Sequence, residues 1–212
     1  MKRTDLTENI TSLNIPANVV LVAVTKDRSI DEIQQIIDAD IKHIGENKIQ
    51  EAEEKLLLIK KNNPNTTLIK HFIGHLQSNK IKKAVELFDV IQSVDSIKLA
   101  EKINSEAEKQ SKQIKIMLQI NIGNEQQKHG FKKEDAEDAY KKIFALKNII
   151  IHGIMCIGPL DKDPTSFFQQ MKKLKDKLHV EHLSMGMSDD YRIAIQEGST
   201  MIRIGRRLFC CS

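Results

Sequence analysis

Short apolar runs alternate along this chain with longer segments whose apolar residues recur every three or four positions. The first run, VVLVAVT (19–25), precedes IDEIQQIIDA (30–39), whose spacing predicts an amphipathic helix. IKHIG then leads to QEAEEKLLLIKK, TLIKHFIG to KIKKAVELF, and DVIQSV to SIKLAEKINSEAEKQ. IKIMLQINIG leads to KEDAEDAYKKIFAL, IIIHGIMCIG to PTSFFQQMKKLKDKL, and HLSMGM to DDYRIAIQEG, while MIRIG closes the series. A further helix is predicted ahead of the first strand, from Arg3 to Asn14. The strand-like runs are apolar nearly throughout, as parallel strands covered on both faces require. Eight strands, seven of them followed by helices, predict an α/β fold: a single (β/α)8 TIM-type barrel over residues 1–212. A doubly wound open sheet competes, but its Gly-rich turn after the first strand is missing.

In a barrel of this kind, function gathers at the C-terminal ends of the strands. Gly45, Gly74, Gly123, Gly158, Gly186 and Gly205 all stand where a strand-like run stops, six of the nine glycines. The polar residues gathered there are Lys26, Glu46, Asn47, Gln77, Ser78, Asn79, Asn121, Ser184 and Arg203. Arg203 is the odd one, because it interrupts the apolar run MIRIG. A buried guanidinium is costly unless it is paired or bonded to something specific. A facing carboxylate, an edge strand or a bound group would each account for it. Barrel closure sets the strand of Arg203 beside the strand that ends near Lys26, making that lysine a candidate to form a Schiff base.

Composition narrows the partners. The 212 residues carry 33 basic and 29 acidic side chains, so the net charge of +4 is small for the chain's size. KIKKA (80–84) and KKLKDK (172–177) read as solvated helix faces rather than a nucleic-acid footprint. Seven phenylalanines and two tyrosines, without tryptophan, offer few stacking platforms for single strands. No run approaches the ~20 apolar residues of a membrane helix. The N-terminus lacks the apolar segment of a signal peptide, so a cytoplasmic location is expected. Cys156, Cys210 and Cys211 suit a reducing compartment and read as structural or incidental. No metal is expected: His71 and His75 stand four apart in a strand and turn, without the helix that makes such a pair a zinc site. Ser188 or Asp189 is expected to cap the helix that follows, leaving the Asp189–Asp190 pair a helix-start signal.

The stretches LVAVTK (21–26), GENKIQE (45–51), HFIGHLQSNK (71–80), LQINIGNEQQKHGF (118–131), HGIMCIG (152–158), LSMGMSDD (183–190) and GSTMIRIGRRLF (198–209) together resemble the pyridoxal-phosphate homeostasis proteins. These are single-domain, alanine racemase N-terminal-like proteins that bind pyridoxal 5′-phosphate (PLP). The resemblance implies a barrel that holds PLP as a Schiff base on Lys26, with Arg203 facing the pyridine nitrogen. It also implies Asn47 beside the ring, and Ser184 and Gly205 at the phosphate with nearby backbone amides. The expected function is non-catalytic: buffering PLP or delivering it to apo-enzymes, as a monomer, without nucleic acid or membrane. An amino-acid racemase or related PLP enzyme is the alternative, and a barrel enzyme using Lys26 on a phosphorylated substrate without PLP is a third.

Elementary chemistry agrees with these roles. A lysine amine must be neutral to add to an aldehyde, a form favoured by desolvation and a cationic neighbour. An arginine can only donate, so it favours an unprotonated ring nitrogen and a weak electron sink. Racemisation needs an acid/base group on each face of the substrate. Of the two tyrosines, Tyr140 falls in a helix and Tyr191 starts from the functional face. The family pattern is broken after Gly205, where Arg206 and Arg207 replace a small hydroxyl residue, so Arg206 is expected near the phosphate. Lys70 replaces an aromatic residue, Thr25 replaces serine, and the chain stops at FCCS.

Overall fold

A computed structural model describes residues 6–123, 125, 129–159 and 162–209. Eight parallel strands close into a barrel in sequence order: β1 (Val20–Val24), β2 (His43–Glu46), β3 (Ile69–Phe72), β4 (Val90–Val94), β5 (Ile114–Gln119), β6 (Ile149–Met155), β7 (His182–Ser184) and β8 (Met201–Ile204). The expected (β/α)8 architecture is present. A helix α1 (Leu6–Leu13) precedes β1, inside the range expected for it. The connecting helices are α2 (Ile30–Asp38), α3 (Ile49–Asn62), α4 (Ile81–Leu87), α5 (Ile97–Lys109), α6 (Ala136–Phe144), α7 (Thr165–Leu178) and α8 (Tyr191–Gln196). A short turn of helix, α9 (Arg206–Phe209), follows β8 and lies within no expected element. No helix among the described residues is long and apolar enough to cross a membrane.

Local sequence explains the helix starts. Ser29 and Glu32 form a reciprocal capping box at α2, each side chain bonding the other's backbone N–H. Ser96 accepts from the Leu99 amide at the start of α5. At α8 the expectation fails by a residue or two: Asp190 holds the cap position, not Ser188 or Asp189. Its carboxylate accepts from the Met187 amide, upstream of the helix, at 2.6 Å. It thereby tightens the loop after β7 rather than capping α8.

The core has two regions. Between barrel and helices lie residues such as Ile91, Ile154, Leu183, Ile202 and Ile204, all fully buried. The lumen carries a smaller apolar set, Val22, Val90, Met117, Met155 and Met201. Four strands also bring a histidine toward the N-terminal half of the barrel: His43, His71, His152 and His182. His43 and His71 are hydrogen-bonded ring to ring at 2.9 Å, and the rings of His152 and His182 lie 4.2 Å apart.

Burial, aided by the neighbouring imidazoles, pushes the pKa of His71 down to about 3 and that of His152 down to about 4. In the unfolded chain a histidine titrates near 6.5. The unfolded state therefore takes up the proton first. The stability due to neutral His71 is complete above about pH 6.5 and is lost as pH falls toward the folded value. Denaturant melts of the wild type and His71→Gln should differ in acid slope, the variant losing about 1–2 kcal/mol less between pH ~6.5 and ~5. Parallel acid limbs would mean that His71 titrates normally in the fold.

Candidate functional site

The alternation of β8 explains its arginine. Ile202 and Ile204 face the helices, whereas Met201 belongs to the lumen cluster and Arg203, two residues on, shares its side of the strand. Arg203 pairs in register with Val22 of β1, another lumen residue. It is 4% exposed and has no carboxylate within ion-pair reach among the described residues. Its guanidinium donates instead to Ser184 Oγ and to the Cys156 carbonyl, both at 2.8 Å. Burial pushes its pKa down, opposed by the fields of Cys156 and Asp190. Among the described residues, neither the salt bridge nor the edge strand that could explain MIRIG is present.

Because arginine has no acceptor, the hydroxyl of Ser184 must point its own hydrogen elsewhere. It donates to Gln92 Oε1 at 2.7 Å. The Gln92 amide nitrogen then donates to His71 Nδ1 at 2.9 Å and also lies 3.2 Å from the Met201 sulfur. His71 accepts at Nδ1, so its Nε2 carries the hydrogen and donates to His43 Nδ1. Every donor and acceptor on the path from Arg203 through Ser184, Gln92 and His71 to His43 is thus oriented.

Lys26 lies two residues past the end of β1 in an exposed turn, where it makes no hydrogen bond or ion pair to the described residues. Sequence reasoning expected a desolvated amine, and that part is corrected. Its flanks, by contrast, are clamped. Thr25 Oγ1 donates to Glu46 Oε1 at 2.7 Å, and the Thr25 carbonyl accepts from Lys55 Nζ at 2.6 Å. The Asp27 amide, at a left-handed φ of 56°, donates to Glu51 Oε1 at 2.6 Å. Lys55 also pairs with both Glu46 and Glu51. Burial raises the pKa of Glu46 against the pull of Thr25 and Lys55, and its Oε2 has no partner. GENKIQE therefore supplies two carboxylates that hold the turn on either side of Lys26.

Asn47, next after β2, has a buried Oδ1 without a hydrogen-bond partner. The chain passes so close that a Cβ on Gly74 would lie 2.2 Å from the Asn47 carbonyl oxygen. Gly186 adopts φ +96°, where a Cβ would also strike Ala194, and its carbonyl accepts from the Arg203 amide. Gly205 sits between the end of β8 and α9, with Val24 3.3 Å from the position of a Cβ. Arg206 is exposed and ion-paired with Asp189. Lys26, Asn47, Gly205 and Arg206 thus follow strands β1, β2 and β8 at one mouth. Ser184 lies deeper, with its hydroxyl engaged by Gln92 and Arg203.

The tyrosines face elsewhere. Tyr191 is buried against α1, its hydroxyl 3.3 Å from the Leu13 carbonyl and accepting from Arg192 Nε. Tyr140 stacks on Phe144 along α6. His71 and His75 also part company, the first in the lumen and the second at the mouth. Cys210 and Cys211 lie outside the described residues. Sequence reasoning missed Gln92, Glu51, Lys55 and the Cys156 carbonyl. The signal for Gln92 was available, since it interrupts DVIQSV as Arg203 interrupts MIRIG. The Glu51–Lys55 pair was visible as an i,i+4 spacing on α3. Nothing in the sequence marks a backbone carbonyl.

Residues 2–212 match the family model described as the alanine racemase N-terminal domain. The pyridoxal phosphate homeostasis protein of Synechocystis is 39% identical over 205 residues, 92% of each chain. That of Pasteurella multocida is 38% identical over 202 residues, 90% of this chain and 85% of its own. Among solved structures, PipY of Synechococcus elongatus with PLP bound superposes with a TM-score of 0.87 at 34% identity, covering 96% of this chain and 99% of that one. An alanine racemase from Clostridium difficile shares the fold, with a TM-score of 0.78 at 14% identity over 98% of this chain and 57% of that one. A closed eight-stranded barrel, GENKIQE clamping the first turn and an arginine set inward from β8 are how this chain builds the domain, and by its relatives it belongs to the pyridoxal phosphate homeostasis proteins of the alanine racemase N-terminal domain family.

Proposed function

We propose that this protein binds PLP at the C-terminal mouth of its barrel and holds it for apo-enzymes, without turning over a substrate of its own. The observation that carries this reading is Arg203: a buried cation satisfied so far only by neutral acceptors, in the strand beside the Lys26 turn. The names of the relatives, and PLP in the solved PipY, support the same cofactor here. When bound, PLP supplies an aldehyde that amines add to and a ring that withdraws electrons from that centre.

The residues present fit such a group. Lys26 would hold it covalently as a Schiff base through Nζ. The clamp on Thr25 and Asp27 would limit the positions that amine can take. Asn47 Oδ1, buried and without a partner, would accept from a hydroxyl on the ring. Arg203 would donate to the ring nitrogen, and Ser184 would keep the guanidinium aimed. The first amides of α9 after Gly205 have no acceptor within the helix, so they suit a phosphate. Arg206 could add its charge there by leaving Asp189, an exposed pair that contributes little to stability. One barrel carries all of these residues, so a monomer suffices, and the cytoplasm is the setting proposed for it.

The carrier reading is favoured over a racemase by the same geometry. A second proton-transferring group is needed opposite Lys26. The hydroxyl of Tyr191 is directed at α1, and Tyr140 lies on α6. A ring nitrogen facing Arg203 stays unprotonated, which makes a poor sink for a carbanion.

Borohydride reduction of the PLP-loaded protein should place the pyridoxyl group on Lys26, identified by peptide mapping. A label on another lysine with Lys26 unmodified would sink the assignment. A panel of amino acids, assayed for racemisation, transamination and decarboxylation, should react no faster with the loaded protein than with free PLP. Turnover well above that level and abolished by Lys26→Ala would make the protein an enzyme.

A further inference from the structure

The polar path that starts at Arg203 crosses the barrel, and one residue makes the crossing. Arg203 stands on β8 and Gln92 on β4, on opposite sides of the closed sheet. Ser184 of β7 links them, accepting from the guanidinium at 2.8 Å and donating to Gln92 Oε1 at 2.7 Å. Gln92 is fully buried, in a lumen where such barrels ordinarily carry branched apolar side chains. A buried amide costs stability unless its polar groups are met. Ser184 meets the oxygen; His71 Nδ1 at 2.9 Å and the Met201 sulfur at 3.2 Å meet the nitrogen.

The amide has two orientations, and only one suits the guanidinium. With Oε1 toward Ser184, the hydroxyl donates to it and keeps a lone pair on Arg203. With Nε2 there instead, two donors would converge on one serine oxygen. The hydroxyl hydrogen would then have no other acceptor in reach among the described residues, and by turning toward Arg203 it would break that bond. His71 holds the amide the right way round from the far side, because its Nδ1 lone pair takes a hydrogen from Nε2. A strut that only tied β4 to β3 would need His71 alone, and its bond to Ser184 would be superfluous.

The mouth depends on this order. A guanidinium carries five N–H hydrogens. Ser184 takes one from Nη1 and the Cys156 carbonyl one from Nη2. The others, that on Nε included, make no hydrogen bond to the described residues. Which hydrogens stay free, and where they point, follows from the two that are held.

We propose that Gln92 is a positioning residue for Arg203: acting through Ser184, it fixes which guanidinium hydrogens remain for the ring of bound PLP. This role rests on Arg203 facing the cofactor, as proposed above, and brings in a residue from the opposite wall that acts at one remove. Gln92 Oε1 is the atom that matters, and a side chain of similar size without it cannot replace it.

The test is a mutant cycle on the full chain, with PLP affinity measured by equilibrium dialysis and the visible absorption band of the loaded protein recorded. Gln92→Met keeps the volume and removes the oxygen. It should weaken PLP retention by about 10-fold and move the band, as expected for one lost hydrogen bond to a group that holds a charge. In an Arg203→Leu background, which keeps Lys26, the same substitution should change neither, because residues that act through one another are not additive. Gln92→Asn, whose shorter amide cannot reach both Ser184 and His71, should behave like Gln92→Met and serves if circular dichroism shows that variant unfolded. Equal losses with and without Arg203, or wild-type affinity and band in both variants, would overturn the role of Gln92 while leaving the PLP site standing. A wild type that neither retains PLP nor labels at Lys26 would overturn the PLP site itself. The PLP-free protein then still tests the hold on Arg203: its guanidinium N–H signals in 15N spectra should be slow to exchange in the wild type and broadened in Gln92→Met, and identical signals would refute it.

Discussion

Arg203 cannot accept a hydrogen bond, and that one-sidedness organises the inside of the barrel. A guanidinium placed beside Val22 and Met201 needs acceptors, and Ser184 and the Cys156 carbonyl provide them. The serine must then donate onward to Gln92, which fixes the amide and in turn the tautomer of His71. A hydrogen bond to a charged group contributes about 1.5–3 kcal/mol, and a buried group left without its partner costs at least as much. The lumen therefore departs from the layers of branched apolar residues usual in such barrels. Its polar path is complete from Arg203 to His43, and the arginine is held by groups that carry no compensating charge.

The mouth depends on a second set of contacts. Glu46, Glu51 and Lys55 have no role at the lumen, but they fix the backbone on both sides of Lys26. An exposed lysine gains direction from a rigid turn rather than from contacts of its own. Gly74 and Gly186 serve the same end, bringing Asn47 and the loop after β7 closer than any side chain would allow. The expected desolvation of Lys26 is not seen: its side chain is exposed, on a turn whose backbone is fixed on both sides.

Much of this was legible in the chain. Eight apolar runs with intervening helical periodicity gave the barrel, because β/α repetition leaves a periodic trace in sequence. Arg203 stood out because a charge in MIRIG breaks a local rule. Gln92 and His71 break the same rule more quietly, since neutral polar residues interrupt strands without the same energetic alarm. Asp190 was displaced from the expected cap by a residue or two, which periodicity cannot resolve. Tyr191 begins at the functional end, yet its ring direction depends on packing against α1, far away in sequence.

The claim that ties these observations together is electronic: a donor-only arginine should leave the ring nitrogen of bound PLP without a proton. The direct measurement is the 15N chemical shift of the pyridine nitrogen in this protein loaded with [15N]PLP at neutral pH. The account predicts the shift of an unprotonated, hydrogen-bond-accepting pyridine, and Arg203→Leu should move it away from that value. A pyridinium shift in the wild type would contradict the account, because Arg203 would then not be facing that nitrogen.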